Sequence, residues 1–253
     1  ADRRGGCVTS VRRRGPFAPH DSARAEAIRA ACVGQPAKAE EETKPSSQLS
    51  PLLYDLTSLQ RDANGRFGFS AKTTLALAQA LYERHKVLTY PRTDSRALPE
   101  DYRSTVKKTL GVLARTAYAR FADEILKKDW VKPNKRIFNN TKVSDHFAII
   151  PTLQAPRSLT EAEAKLYDMV VKRFIAVFYP SAEFLVTTRI TQVPVVGTTH
   201  HFQTNGKVLV KPGWMAVYGK EAAEEGDDAH LVAVQPGESV GNEDVSVTAL
   251  KTK

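Results

Sequence analysis

The stretch that decides how this chain is interpreted is "VLTYPRTDSRALPEDY", Val87–Tyr102. Proline at position 91 biases Tyr90 toward extended backbone angles, because the proline ring crowds the residue before it. Side chains two positions apart in an extended segment point the same way, so Tyr90 and Arg92 are expected to share a face. The stretch therefore predicts a phenol and a guanidinium presented together.

The residue types around this phenol are suited to phosphate chemistry. A phenol with a pKa near ~10 is mostly protonated at neutral pH, so an attacking tyrosine needs a neighbouring cation or base. An arginine can favour the phenolate and also bind phosphate oxygens with two parallel N–H groups. A loop in which Tyr90 packs its ring and Arg92 is solvated would carry the same tripeptide, and spacing alone does not decide between the two.

A second cluster, "VSDHFAIIPT" from Val143 to Thr152, adds a histidine. The polar triplet Ser144-Asp145-His146 runs directly into an apolar run, which predicts that His146 lies at the edge of a core. An imidazole there could stabilise charge on a phosphate or donate to it. Taken alone, the cluster fits a surface histidine before a short strand better than it fits a functional one.

Together the two clusters identify a family resemblance. "FGFSAKTTLALAQALYERHKVLTYPRTDSRALP" followed by "SDHFAIIPT" resembles type IA DNA topoisomerases, and the Y-P-R-T-D-S run is more similar to the topoisomerase III branch. The resemblance extends from about Leu53 to Thr152. It continues more loosely through "HFQTNGKVLVKPGWMAVY", His201–Tyr218, and is weak over the first fifty residues.

The resemblance implies specific roles for these residues. Tyr90 would attack a phosphodiester of single-stranded DNA and become linked to the 5′ phosphate; another strand would pass through the gap before resealing without ATP. Arg92 matches the arginine that stabilises the cleavage-site phosphate, and His146 matches the histidine that contacts DNA and assists catalysis. Four further motif residues are predicted to contact DNA: Thr93, Asp94, Ser95 and Arg96.

The resemblance also implies an architecture, in which a β-rich arch carries the tyrosine domain within a torus. The predicted fold class is α+β, with an α-rich domain at residues 50–180 inserted into a β-rich arch domain formed by residues 1–49 and 181–253. The family's metal-binding Toprim domain and helical DNA-channel domain are not recognisable, and no D-x-D pair is present to hold Mg²⁺. We therefore expect no metal site or cofactor in this chain, Mg²⁺ bound by the absent Toprim domain, and a fragment that does not cleave DNA alone. Its expected partners are single-stranded DNA and those two domains.

Local patterns predict the individual elements. The first predicted helix is 21–32, and the second is opened by a Thr57–Gln60 capping box and ends at Gly65. A third helix has Ser70 as its N-cap and buries a face made of Leu75, Ala78, Leu81 and Tyr82. A fourth is opened by Pro99 and runs through Leu113. Two more are 116–128 and a helix opened by a Thr160–Glu163 capping box and stopped by Pro180. Strands are predicted at 37–41, 183–193, 199–210, 230–240 and 244–251, with a linker at 44–51 and a hairpin turn at Asn205-Gly206. The first twenty residues are predicted to be irregular or the remnant of a strand.

Composition limits the classes of function. Lys and Arg number 37 against 28 Asp and Glu, and the resulting charge of +9 favours a polyanionic partner. No apolar run is long enough to span a bilayer, and the N-terminal residues do not resemble a secretory signal. Cys7 and Cys32 lack metal-site spacing and are predicted to be reduced thiols. We expect a cytoplasmic, nucleoid-associated bacterial protein with no membrane partner.

Of four other functions, the sequence lacks the patterns that two require and leaves two open. A tyrosine recombinase would need an H-x-x-R box before the tyrosine, and a rolling-circle relaxase would need two histidines flanking one apolar residue; neither pattern is present. A non-catalytic module for single strands could use rings such as Phe67, Phe69 and Trp214. The strands from Glu183 onward could also act mainly as a spacer and hinge.

Overall fold

The computed structural model describes residues 22–219 and 238–241. The chain separates into two compact units. The described residues of the first, the sheet unit, are 22–47, 183–211 and 238–241; those of the second, the helical unit, are 48–182 and 212–219. This combination of helices and antiparallel strands confirms the predicted α+β class. The predictions for residues 1–20 and 244–251, and most of the strand predicted at 230–240, lie outside the described residues.

The sheet unit combines one helix with four strands. Its elements are α1 (Ser22–Cys32), β1 (Pro36–Gln48), β2 (Ala182–Val195), β3 (Thr198–Lys211) and β4 (Glu238–Gly241). The strand order is β3-β2-β1-β4; β2 and β3 form an antiparallel hairpin, and β4 pairs antiparallel with β1. A small apolar cluster of Cys32, Ala37, Val193 and Phe202 joins α1 to the sheet.

Two predictions in this unit are wrong. Residues 44–48 continue β1, although the Pro/Ser-rich composition predicted a linker from residue 44. The hairpin turn is Val196-Gly197, where Gly197 takes a left-handed φ of 81°, whereas Gly206 lies inside β3 opposite Thr187. Burial alternates without a break through Phe202, Thr204 and Gly206, so the period of two continues across the Asn-Gly pair.

The helical unit contains five α-helices and three short 3₁₀ helices among its described residues. The α-helices are α2 (Leu56–Phe67), α3 (Ala71–Glu83), α4 (Arg103–Leu113), α5 (Ala119–Lys127) and α6 (Glu161–Ala176), and the 3₁₀ helices are Glu100–Tyr102, Asn140–Lys142 and Gly213–Tyr218. Helix α6 is the central element, because most of its length is buried and it packs against α3 and the last 3₁₀ helix.

The helix ends of this unit agree with two of the predicted caps and differ from a third. Ser70 caps α3, and the Thr160–Glu163 capping box of α6 is confirmed, with both reciprocal bonds present. The predicted Thr57 box is wrong, because Asp55 is the N-cap of α2 and forms its capping box with Ser58. The helix also runs past Gly65 to Phe67 and ends at Gly68 in the left-handed conformation.

Two other helix boundaries differ from the prediction. A short 3₁₀ turn, Glu100–Tyr102, separates Pro99 from the start of α4. Helix α6 ends at Ala176, and its last turn gives way to 3₁₀-type hydrogen bonds before Pro180 is reached.

A buried arginine connects distant parts of the helical unit. The Arg173 guanidinium donates to the Asp62 carboxylate at 2.7 Å, to the Tyr54 hydroxyl at 2.9 Å and to the Leu52 carbonyl at 3.0 Å. It also lies 4.1 Å from the centroid of the Tyr54 ring. These contacts join α6 to α2 and to the segment before α2, and they fix the scaffold on which the tyrosine segment lies.

Candidate active site

Two loop segments of the helical unit pair side by side and form the site. Leu88 makes an antiparallel bridge with Pro151. The Thr89 amide donates to the Ile150 carbonyl at 3.0 Å, and the Thr152 amide donates to the Val87 carbonyl at 3.0 Å. This pairing brings the sequence cluster that contains Tyr90 next to the cluster that contains His146.

Buried hydroxyls hold the two segments in register. The Thr93 hydroxyl donates to the His146 carbonyl at 3.2 Å and accepts the Ser95 amide at 3.0 Å. The Ser95 hydroxyl donates to the Lys142 carbonyl at 2.7 Å. Thr93 and Ser95 are 7% and 4% exposed, so their observed partners are main-chain groups of the site itself. This geometry favours positioning as their contribution, and DNA contact by these two residues stays a prediction.

The Tyr90 ring lies between two other rings. Its centroid is 4.2 Å from that of His146, with the planes tilted by 40°, and 5.4 Å from that of Tyr82 in an edge-on arrangement. Tyr90 is half-buried and His146 is exposed. Within the described part of the chain no group hydrogen-bonds the Tyr90 hydroxyl, and this oxygen is not among the buried atoms that lack a partner, so it is reached by solvent.

Arg92 is exposed and is oriented by helix α3. With the Gln79 amide placed to satisfy the hydrogen-bond network, its oxygen accepts from Arg92 Nη2 at 3.1 Å and from Nε at 3.2 Å. Gln79 and Tyr82 are three residues apart and therefore lie on the same side of α3. One helix face thus supports both the Tyr90 ring and the Arg92 guanidinium.

The remaining two predicted DNA contacts differ in accessibility. Asp94 is exposed. Arg96 is half-buried and donates through Nε to the Leu53 carbonyl at 3.0 Å. The structure therefore brings Tyr90 and His146 together and holds Arg92 on Gln79 of the neighbouring helix face, while the Arg96 Nε is occupied by main chain.

The end of α3 that leads into Tyr90 is fixed by a buried carboxylate. Glu163 is 3% exposed; it caps α6 and also contacts Arg84 and, at 3.3 Å, the His85 imidazole. Burial would raise the pKa of the Glu163 carboxyl, but hydrogen bonds from Thr160 and the positive charge of Arg84 outweigh it and lower the pKa to about 2. The carboxylate therefore stays charged and fastens α3 to α6.

A cavity of about 340 Å³ opens beside the Tyr90 ring. It is lined by Tyr82, Lys86, Leu88, Thr89, Tyr90, His146, Phe147 and Thr152. Sequence reasoning missed Lys86 and Phe147 as site residues and assigned Tyr82 only to a buried helix face. Lys86 lies past the end of α3 with a φ of 59°, so helical spacing could not predict that its amine lies 5.6 Å from the Tyr82 ring.

The described residues offer no place for a metal ion. No group of three or more His, Cys, Asp or Glu side chains within 22–219 and 238–241 is close enough to bind one. The expectation that this chain holds no metal, and that Mg²⁺ is bound by a Toprim domain, stays a prediction.

Comparison with known proteins identifies the family. A family model described as DNA topoisomerase matches residues 13–253. This chain belongs to the DNA topoisomerase family. It is 45% identical over 212 residues to DNA topoisomerase 3 of Bacillus subtilis and 44% identical over 209 residues to that of Bacillus licheniformis. These relatives confirm the resemblance deduced from the tyrosine and histidine motifs, including its topoisomerase III character.

The matched region is a limited part of the relatives. Each of these two alignments covers 81% of this chain, and the chain spans about 28% of the length of each relative. The fold is similar to that of full-length topoisomerase I from Thermotoga maritima, with a TM-score of 0.60 and 19% identity over 92% of this chain and 36% of that one. At that identity the likeness supports the fold alone.

Proposed function

We propose that this chain supplies the nucleophile of a DNA topoisomerase that cleaves and rejoins single-stranded DNA. The Tyr90 oxygen attacks a phosphorus atom, the new O–P bond replaces the bond to the 3′ oxygen, and the phenol proton is lost while the 3′ oxygen gains one. The DNA is left with a free 3′ hydroxyl and a 5′ phosphate esterified to Tyr90. Reversal of the same step reseals the strand after another strand has passed.

The observation that carries this proposal is the placement of the Tyr90 hydroxyl. Its ring is held between Tyr82 and His146, yet the hydroxyl has no partner among the described residues. The half-buried Tyr82 and Tyr102 also lack a hydroxyl partner among the described residues, so what sets Tyr90 apart is the His146 ring packed against it at 4.2 Å. A nucleophile needs a fixed ring with an accessible oxygen, and Tyr90 meets both conditions.

Arg92 and His146 have complementary roles in this proposal. The exposed guanidinium, oriented by Gln79, binds the oxygens of the scissile phosphate and stabilises the charge that develops on them. The imidazole beside the Tyr90 ring contacts the same phosphate or the strand next to it. Asp94 lies two residues after Arg92 in the chain and would orient that guanidinium or the His146 imidazole.

The described residues form one half of a complete site. Phosphoryl transfer depends on positioning and on charge stabilisation from all sides of the phosphate, so this chain alone should be nearly inert. The facing half, with its Mg²⁺, would come from the Toprim and helical domains. Such an enzyme would act on the bacterial nucleoid in the cytoplasm. No helix in the described ranges is long and apolar enough to cross a membrane.

A labelled oligonucleotide tests the proposal. A polypeptide that joins this chain to Toprim and helical domains is mixed with single-stranded DNA carrying a 3′-terminal label, and the reaction is stopped with denaturant. We expect the label to migrate with the protein, because the 5′-phosphate side retains the 3′ end of the oligonucleotide. Tyr90→Phe should remove this adduct, whereas Tyr179→Phe, which alters a tyrosine that donates to Glu124, should leave it.

Binding of single strands without chemistry is a second candidate, and one contact favours it. Phe67 and Phe69 form a half-buried ring pair with centroids 5.3 Å apart, a possible stacking platform. Trp214, by contrast, is 7% exposed and donates its indole N–H to the Gln48 carbonyl, so it belongs to the core. Equal DNA binding by wild type and Tyr90→Phe with no adduct from either would establish the binding module.

A further inference from the structure

The cavity beside Tyr90 has walls suited to a flat ring. Four of its lining side chains carry rings: Tyr82, Tyr90, His146 and Phe147. Its volume of about 340 Å³ lies at the small end of ligand sites, which is enough for a nucleobase and part of its sugar. Phe147 is held from behind by the Tyr102 ring, with centroids 4.8 Å apart. The cavity therefore offers stacking surfaces that are fixed before a ligand arrives.

Lys86 at this cavity has an unusual backbone conformation. Its φ is 59°, in the left-handed region where glycine or asparagine is normally found at the end of a helix. The turn is a helix terminus, because the Val87 amide donates back to the Leu81 carbonyl at 2.9 Å. A lysine is the less favourable residue for this backbone, and such positions are concentrated at functional sites. The Lys86 amine is exposed and lies 5.6 Å from the centroid of the Tyr82 ring.

The direction of attack indicates which nucleotide is nearest to the cavity. In an in-line displacement the attacking and leaving oxygens are on opposite sides of phosphorus. The nucleoside that leaves with the 3′ hydroxyl therefore departs on the side away from Tyr90. The nucleoside that keeps its 5′ oxygen remains beside the tyrosine, within one nucleotide of the rings that line the cavity.

We propose that this cavity accepts the base of the nucleotide that becomes joined to Tyr90. The base stacks among the Tyr82, His146 and Phe147 rings, and the Lys86 amine neutralises the phosphate that follows this nucleotide. The inference rests on the proposed function of Tyr90 and adds a subsite to it. Stacking tolerates any base, so the subsite holds the cleaved end in place without demanding one sequence.

An abasic scan tests the subsite in the same polypeptide that joins this chain to Toprim and helical domains. Oligonucleotides with one cleavage site each carry a single abasic residue at a different position. We expect the abasic residue immediately 3′ of the scissile phosphate to reduce adduct formation about tenfold, the effect of losing one stacked base. An abasic residue four positions further on should have no comparable effect.

Two variants assign the effect to the cavity. Tyr82→Leu removes one ring, so it should lower adduct formation on intact DNA and make the enzyme less sensitive to the abasic residue. Lys86→Gly relieves the left-handed backbone while removing the amine, so it should raise or preserve the melting temperature and yet reduce adduct formation several-fold. Ser158→Gly is the matched control, because exposed Ser158 also has a positive φ, 51°, and does not line the cavity.

The outcomes separate the two proposals. An adduct that survives Tyr90→Phe would overturn the proposed function. A Tyr90-dependent adduct that is equally sensitive to abasic residues at all positions would overturn the subsite alone. So would a Lys86→Gly variant that forms the adduct as well as Ser158→Gly does.

Discussion

The two units bury an arginine in different ways. In the helical unit, Arg173 is 6% exposed and bonds Asp62 on α2, a main-chain carbonyl before α2 and the Tyr54 hydroxyl. In the sheet unit, Arg189 is also 6% exposed, and its Nε lies 2.6 Å from Glu41 on β1. The first arginine joins segments that no main-chain ladder connects, whereas the second connects two neighbouring strands of one sheet. The helical pair therefore specifies a tertiary arrangement, and the sheet pair specifies strand register.

The helical unit also has more extensive apolar packing than the sheet unit. Helix α6 buries Phe174, Ile175 and Ala176 in succession, so apolar contacts surround it on most sides. The apolar cluster of the sheet unit is small, and Leu185, Val208 and Val210 remain 42%, 47% and 52% exposed on its strands. A nucleophile must be held within a fraction of an ångström, and Tyr90 belongs to the unit with the denser core.

The largest expected effect comes from breaking the Arg173 network. Asp62→Ala leaves a buried guanidinium without its counter-ion, which should lower the free energy of unfolding of the helical unit by about 3 kcal/mol. Both tryptophans of the chain, Trp130 and Trp214, belong to this unit, so their fluorescence in a denaturant titration reports on it. Arg61→Ala is the control on the same helix, because Arg61 is 73% exposed and should change stability by less than about 0.5 kcal/mol. Equal effects of the two variants would show that the network does not specify the helical unit.

A smaller and pH-dependent effect is expected at Glu163. Its pKa is lowered from 4.5 to about 2 in the folded state, so its charge stabilises the protein above pH 4.5 and this contribution is lost as the pH falls toward 2. Glu163→Gln should cost about 1–2 kcal/mol near neutral pH, since a neutral amide replaces charge-assisted bonds at the helix cap. The variant should also flatten the dependence of stability on pH across that window. Denaturant titrations of both proteins at several pH values measure this, and parallel curves would contradict it.

Helix caps depend on residues close in the sequence, so local sequence patterns predicted several of them. Ser70 and the Thr160–Glu163 pair were found because capping needs partners only three residues apart. The same reasoning misplaced the start of α2, because Thr57–Gln60 and Asp55–Ser58 both fit a capping pattern and only the structure shows which pair makes the bonds.

The sequence does not predict the surface around Tyr90, because that surface forms where segments distant in the sequence pack together. The motifs nominated Tyr90, Arg92 and His146 by resemblance, and the structure packs His146 against Tyr90 and pairs Arg92 with Gln79, while the roles of all three stay predictions. The partners that fix them, Gln79 and Tyr82 on α3 and the carbonyls bonded by Thr93 and Ser95, are set by tertiary pairing. In the sheet unit, the Asn205-Gly206 pair is a strong local turn signal, but β2 and β3 continue to pair across it.

The smallest expected effects come from two glycines, and they should have opposite signs in the two units. Gly197 has a φ of 81° at the β2–β3 turn, so Gly197→Ala should destabilise the sheet unit by about 1 kcal/mol through backbone strain. Gly65 lies within α2, its φ is not positive, and a Cβ there would meet no atom within 4 Å. Gly65→Ala should therefore stabilise the helical unit by about 0.5–1 kcal/mol, because alanine is the better helix former.

The two changes can be followed separately. Cys32 is fully buried in the apolar cluster of the sheet unit, and burial raises the pKa of its thiol, so it reacts with a thiol reagent mainly when the unit opens. Gly197→Ala should accelerate labelling of Cys32, located by mass spectrometry, about fivefold and leave the tryptophan transition unchanged. Gly65→Ala should do the reverse, raising the tryptophan midpoint without altering Cys32 labelling. If either glycine moved both signals together, the units would unfold as one cooperative body, and the tyrosine scaffold would depend on the sheet for its stability.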